Sequence, residues 1–442
     1  MEDDIVINTD LGNLYLPAEK LKQFIIGLNQ ENAMKADIRQ AAIDEYFGEE
    51  DYNTEFHNLN YYKVPSYLKC IWEVVKEEYH IDKITNYDAK TITEKPPKAY
   101  DFYIGLDEKE NLLIDCVLFL RNKENDEKLI LIMMPFNDGD KYYLDIESVY
   151  STNGEGFRGF WQKVKKYFKT KGPLRNKLFD TKWNYVKFEK RNWDSIVLDK
   201  EYRKLIDRNI VKFISKIEHY KELGLPTSRG VLITGPPGTG KTLMCETIIN
   251  QVDCTKIYVT SDSVDSVGDI SQIYKVARKL SPSIVIIEDI DTLGGLDRRT
   301  EGNHPLLGEF LNCLNGVGNN EGVVTIATTN YPRHLDSALV DRPGRIDLRI
   351  EFGLPNEELR KHIFQKYLKG LKKEKINYSK IVKLTDGMTG AYIREIVMSA
   401  YMIGEERGSP ITQNILEESI KNIVEMRNKM SNNKTYKESY HY

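Results

Sequence analysis

Val231-Leu232-Ile233-Thr234-Gly235-Pro236-Pro237-Gly238-Thr239-Gly240-Lys241-Thr242-Leu243 decides the fold. Val231–Thr234 is a short apolar run, read as a buried strand. Gly235 to Thr242 then matches G-x-x-x-x-G-K-[ST], and a helix opens at Leu243. Glycines let successive backbone N–H groups turn inward and wrap β- and γ-phosphates. The helix N-terminus adds a favourable dipole for the anion. Lys241 supplies a mobile point charge, and the Thr242 hydroxyl is a candidate Mg²⁺ ligand. The bland alternative is a glycine-rich turn with a surface lysine. The strand before the motif and the helix after it argue against that.

Downstream, Lys256–Thr260, Ser283–Ile287, Val323–Ala327 and Leu348–Phe352 read as further short apolar strands, with helical segments between them. That alternation predicts a five-stranded parallel sheet covered by helices on both faces. The strand Ser283–Ile287 ends in Glu288, Asp289 and Asp291. Acids at the C-terminal end of a buried parallel strand are costly unless a cation or a functional site explains them. By position, Glu288 is the metal-side acid and Asp289 the base that polarises a water. Asp291 reads as the N-terminal acid of the next helical segment. Asn330 follows Thr328 and Thr329 at the end of Val323–Ala327 and is placed to orient a water. Arg342 and Arg345 flank Pro343-Gly344. Arginines fixed this way suit charge building on a γ-phosphoryl group. Past Asn356 four helical segments are predicted, Glu357–Leu368, Tyr378–Leu384, Tyr392–Arg407 and Thr412–Lys429, with a frayed polar tail from Ser431. Upstream, Tyr202–Tyr220 reads as one long amphipathic helix.

Residues 1–186 read as a separate α+β domain. Leu16–Leu28, Ile71–Glu78 and Phe160–Phe168 are its expected helices. Asp101–Leu106, Leu112–Leu120, Leu129–Phe136 and Tyr142–Ile146 are its expected strands. The boundaries expected beyond it are 187–355 for the nucleotide-binding part, 356–430 for a helical lid and 431–442 for a disordered tail.

At 442 residues, with 40% hydrophobic and 29% charged, the chain has the apolar material for several cores and is not wholly disordered. Lys plus Arg is 63 and Asp plus Glu 67, a formal charge of −4, so a nucleic-acid coat is not expected. The apolar run Leu129–Phe136 is too short to span a membrane, and the acidic start Met1-Glu2-Asp3-Asp4 is unlike a targeting sequence. Five scattered cysteines form no CxxC pair. They predict neither disulfides nor zinc, and a cytoplasmic location.

From Asn192 to Arg427 the chain resembles the AAA family of ring-forming ATPases. The resemblance rests on the Gly235–Thr242 loop, the acidic strand end, Asn330, the stretch Thr328–Asp347, and Gly387-Met388-Thr389-Gly390-Ala391-Tyr392-Ile393 in the lid. It implies ATP with Mg²⁺ as ligands. Gly235, Pro236, Pro237, Gly238, Thr239, Gly240, Lys241, Thr242 and Leu243 would hold the phosphates, with Thr242 and Glu288 on the metal. Gly390 and Ala391 would close over the adenine, and Asn330 would sense the γ-phosphate. Arg342 and Arg345 would reach into a neighbouring subunit, which implies a homo-oligomeric ring, usually of six, acting on a protein bound by the N-terminal domain. The Glu288-Asp289 order and Ile196-Val197-Leu198 are similar to the mitochondrial AAA translocases that assemble complex III, without their membrane anchor. Ser266 stands where the family's pore aromatic is usual. A nucleotide-gated scaffold with slow hydrolysis is the competing expectation. A nucleic-acid machine ranks lower, because Ala391-Tyr392 occupies the place where such relatives carry a lid arginine.

Overall fold

The structure is a computed structural model that describes residues 4–9, 12–17, 40–60, 63–88, 93–138, 141–152, 156–260, 263–264, 266–292, 309–310, 313, 320–331 and 346–438. It divides into two compact units, Met1–Arg175 and Asn176–Tyr442.

The first unit opens with an antiparallel pair, β1 (Asp4–Thr9) and β2 (Gly12–Pro17). A second, seven-stranded antiparallel sheet follows. Its strands are β3 (Tyr52–Leu59), β4 (Tyr79–Asp88), β5 (Thr93–Lys95), β6 (Lys98–Tyr103), β7 (Lys109–Asn122), β8 (Lys128–Asp138) and β9 (Lys141–Ser151). They lie in the order β3-β9-β8-β7-β4-β5, with β6 also paired to β7. Val117, Phe119, Ile130, Ile132 and Val149 pack on one face with Ile43 and Phe47 of the helix 40–47. The alternate residues Leu118, Leu120, Leu129 and Leu131 are buried as well. The helices Val64–Glu78 and Gly156–Lys171 lie against β7, β8 and β9 and against each other, with Tyr67 stacked on Phe168 at 4.6 Å. Pro65 sits in the first turn of Val64–Glu78, where its missing N–H costs nothing.

Three expected strands are present as β7, β8 and β9 and are longer than expected; the fourth, Asp101–Leu106, is shifted to Lys98–Tyr103, and β1 to β5 are additions. β3 is an edge strand whose central residues are exposed, so it lacks the apolar alternation that marks a half-buried strand. Leu16 and Pro17 belong to β2 and not to a helix; the rest of the expected helix Leu16–Leu28 lies outside the described residues.

The second unit is built on a parallel sheet in the order β10-β12-β13-β14-β11-β15. These are Leu178–Phe179, Thr255–Val259, Ser283–Ile287, Val323–Thr329, Arg229–Thr234 and Leu348–Glu351, in that order. The five expected strands are all there. The sixth, β10, is only two residues long and pairs with Lys256 and Ile257. Such a short edge carries no periodicity of its own. With the Asn176 N–H donated to Thr255 Oγ1 at 3.1 Å, it places residues 176–186 with this unit rather than the first.

Side chains alternate across the strands. Val231, Ile233, Ile284, Ile286, Val324 and Ile326 face a core shared with Met244, Cys245 and Ile248 of the helix Lys241–Gln251. On the opposite face, Thr325 meets the Tyr274 hydroxyl of the helix Val267–Lys279 at 3.1 Å. Ser266 is the N-cap of that helix, and its N–H donates to Asp269 Oδ2 at 2.9 Å. The expected single helix Tyr202–Tyr220 is instead Lys200–Ile206, a π-turn Asp207–Val211, Lys212–Ser215 and Ile217–Glu222. Asn209 explains the π-turn. Its Nδ2 donates to the Leu205 carbonyl at 2.8 Å, four residues back, and competes with the helical ladder.

The helices Glu357–Tyr367, Tyr378–Leu384, Gly390–Glu406 and Gln413–Glu438 share a separate core around Phe364, Leu368, Ile393, Ile396 and Leu416. Asn356, Asn377 and Thr389 cap the first three. The last helix continues to Glu438 where a frayed tail from Ser431 is the sequence expectation; once a helix is nucleated, each added residue gains a hydrogen bond. No helix among the described residues is long and apolar enough to cross a membrane.

Candidate functional site

β11 delivers the chain to Gly235 at the C-terminal edge of the sheet. Gly235 has φ +152°, and a Cβ there would lie 2.2 Å from the Phe352 carbonyl oxygen. That oxygen belongs to backbone held in place by Phe352 N–H donating to Thr234 O at 2.7 Å. Gly235→Ala is therefore expected to cost about 1–3 kcal/mol in denaturant unfolding, the range for forced overpacking, and to weaken nucleotide binding with it. Gly238, at φ +77°, has no room either: its Cβ would sit 2.9 Å from both Ala391 Cβ and Thr389 Oγ1. The loop tip thus touches the lid through glycine, and Ala391 N–H donates to Gly238 O at 3.2 Å.

Lys241 opens the following helix and is only 6% exposed. A buried ammonium needs partners. Its Nζ donates to Gly235 O at 2.7 Å, Pro236 O at 3.1 Å and Asn330 Oδ1 at 2.6 Å. Burial lowers its proton affinity, while Asp289, Asp291 and Glu288 act the other way. A positive charge is thereby fixed inside the phosphate loop.

The acids arrive at the end of β13. Thr242 Oγ1 donates to Glu288 Oε2 at 3.2 Å. Glu288 Oε1 is buried and accepts no hydrogen bond among the described residues. Burial pushes the Glu288 carboxyl above its ordinary value, opposed by the neighbouring Tyr258 and Thr242 hydroxyls. A hydroxyl and a carboxylate side by side, one oxygen lacking a donor, form a hard-oxygen donor set of the kind Mg²⁺ takes, with waters completing its shell.

Asp289 sits beside them. Its carboxyl is also raised by burial, then by Asp291, with Lys241 and Asn330 opposing. Asn330 joins the two halves of the site: its Oδ1 accepts from Lys241, and its Nδ2 donates to Asp289 Oδ1 at 2.9 Å. Asp291 is turned to the backbone, accepting the Asn330 N–H at 3.3 Å from a short 3₁₀ turn, Ile290–Thr292.

A cavity of about 640 Å³ opens over these groups. Pro237, Gly238, Thr239, Gly240, Lys241, Thr242, Leu243, Asp289, Asn330, Gly390 and Ala391 line it. Gly235, Pro236 and Glu288 stand behind that lining. Arg342 and Arg345 lie outside the described residues. The cavity also gathers residues with no motif to mark them: Ile363, Lys366 and Tyr367 of the helix Glu357–Tyr367, and Arg191 and Arg394. Ile196 and Val197 form one wall. Ile196 is buried in the sheet core, while Val197 packs on the lid core. The Ile196–Val197 wall, with Ile196 Cδ1 beside Gly240 of the phosphate loop, gives the cavity an apolar side that suits a flat heteroaromatic base.

A family model described as "ATPase family associated with various cellular activities (AAA)" matches residues 231–354. The chain is 34% identical over 257 residues to a proteasome-activating nucleotidase of Saccharolobus solfataricus, covering 55% of this chain and 65% of that protein. It is 37% identical over 198 residues to a probable 26S proteasome regulatory subunit 10B of Caenorhabditis elegans, covering 42% and 48%. An ATP-dependent zinc metalloprotease YME1 homolog of Schistosoma mansoni is 32% identical over 226 residues, covering 49% and 34%. The chain thus spans less than two-thirds of the length of each of these relatives. They bear on the family; the finer likeness to the complex III assembly translocases is not shown by them. With the motif order, the parallel sheet, the lid contact and these matches together, residues 231–354 form an ATPase domain of the AAA family.

Proposed function

We propose that this chain binds ATP with Mg²⁺ and hydrolyses it to ADP and phosphate in a homo-oligomeric ring that remodels a protein partner. The observation that supports the reading is the Lys241–Asn330–Asp289 chain of hydrogen bonds, whose three residues line one cavity together with Thr242, itself bonded to Glu288. It puts a fixed cation, a metal-type donor pair and a carboxylate base within reach of the same phosphate. Lys241 and the loop amides bind the β- and γ-phosphates. Thr242 and Glu288 would hold Mg²⁺, which when bound offsets phosphate charge. Asn330 orients the attacking water and Asp289 accepts its proton. Gly390, Ala391 and the Ile196–Val197 wall hold the base. The N-terminal unit is the proposed partner-binding domain; the five free cysteines, four of them buried, suit a reducing cytoplasm.

Multi-turnover phosphate release tests the reading. ATP binding with near-zero release favours the nucleotide-gated scaffold instead. The ring is tested by mixing two inactive variants, Arg342→Ala and Lys241→Ala. Because the family's arginine acts on a neighbour's nucleotide, mixed rings are expected to regain part of the activity. No recovery in rings shown to be mixed by native mass spectrometry removes the shared-site arrangement.

A further inference from the structure

Asp289 is one of four non-glycine residues with positive φ among the described residues, at +47°. A left-handed side-chain-bearing residue persists only where its surroundings hold it, and such positions cluster at functional sites. The surroundings here are specific. The β13–β14 ladder runs in register as far as Ile287 opposite Ala327. One step on, the next β14 residue, Thr328, offers its side chain in place of a ladder bond: the Asp289 N–H donates to Thr328 Oγ1 at 2.9 Å. On the other side of Asp289, its carbonyl accepts from both Thr292 N–H and Thr292 Oγ1, each at 2.7 Å. Both peptide groups of Asp289 are thus pinned, and the side chain has only to meet Asn330.

We propose that Thr328 is a positioning residue for Asp289, its buried hydroxyl setting the left-handed turn that carries this short carboxylate to the reacting water. The inference rests on the assignment of Asp289 as the base. Two features make Thr328 suited to the task. It is 1% exposed, so its hydroxyl is shielded from competing water. Its branched Cβ restricts χ1, so the oxygen stays aimed. Aspartate is one methylene shorter than glutamate and cannot find the water by flexing a longer stem, so the backbone must do the aiming.

The variants that decide this are Thr328→Val, which keeps the shape and removes the hydroxyl, and Thr328→Ser, which keeps the hydroxyl. Thr328→Val is expected to lower kcat about 10²-fold, the scale of an ångström-sized misplacement, with ATP affinity by calorimetry changed less than about twofold. Hydrogen exchange of the peptide holding Asp289 is expected to quicken by about tenfold or more once its amide loses a partner. Thr328→Ser is expected to restore most of both, short of wild type by what the lost branch contributes to aiming the hydroxyl. In an Asp289→Asn background, Thr328→Val should cause no further loss of turnover. If Thr328→Val packs poorly, Thr328→Ala carries the same expectation. Unchanged exchange and turnover in both Thr328→Val and Thr328→Ala, or equal losses in Thr328→Ser, overturn the proposal. Absence of phosphate release from the wild-type protein would instead remove the ATPase reading, and the exchange comparison would still decide whether Thr328 sets the turn.

Discussion

Lys241→Ala is expected to remove most ATP binding at concentrations that just saturate the wild-type protein. The ammonium is buried and makes three hydrogen bonds, two to loop carbonyls and one to Asn330. Truncating it deletes one of the two lysines lining the cavity among the described residues, the other, Lys366, standing on the lid. The loop amides remain, but they carry partial charges only. Losing one partner of a buried, hydrogen-bonded charge pair costs about 2–5 kcal/mol, which is about 30- to 5,000-fold in affinity. The substitution also leaves Asp289 without the charge that opposes its protonation and Asn330 without its partner, so the rest of the site is disturbed in the same direction. Calorimetry is the direct measurement. A dissociation constant within a few-fold of wild type would sink the phosphate-loop assignment. Circular dichroism on the same sample separates this from unfolding.

Asp289→Asn is expected to keep ATP binding and lose about 10²- to 10⁴-fold in single-turnover hydrolysis, the range for removing a general base. The amide cannot take a proton from water, yet it is nearly isosteric, and the left-handed turn needs only the unchanged backbone. The test is comparative, because three acids sit within four residues. Asp291 accepts the backbone N–H of Asn330, a bond an amide oxygen can accept as well, so Asp291→Asn should hydrolyse ATP much as wild type does. Glu288 shares a hydrogen bond with Thr242, so Glu288→Gln should show its defect in the Mg²⁺ dependence of hydrolysis. If Asp291→Asn is inactive while Asp289→Asn turns over normally, the roles are shifted by two residues.

How far each part was legible depends on how far apart its causes lie in the chain. The phosphate loop is local: glycines where the backbone turns, a lysine and threonine where the helix begins, and an apolar strand before them. Neighbouring residues impose those constraints on one another, so Gly235–Leu243 could be read directly. The same holds for β13, where five apolar residues run straight into Glu288 and Asp289, and for the lid helices, whose apolar spacing and asparagine or threonine caps mark themselves. The exposed edge β3 and the two-residue β10 escaped, because a strand without a buried face or without length owes its existence to a partner strand elsewhere in the chain. The Tyr202–Tyr220 segment reads as one helix by periodicity, and Asn209 breaks it through a hydrogen bond that periodicity does not weigh. Composition could say that Thr328, Asn330 and Asp289 were polar residues at strand ends. Only the parallel register of β13 against β14 could bring the Thr328 hydroxyl to the Asp289 amide. Only the packing of the lid on the loop could place Tyr367, Lys366 and Arg394 around the cavity. The sequence by itself determined which chemical groups this protein holds and the order of the elements that carry them. Their pairing belonged to tertiary structure, because a hydrogen bond between distant residues leaves no periodic trace along the chain and forms only when two buried surfaces meet.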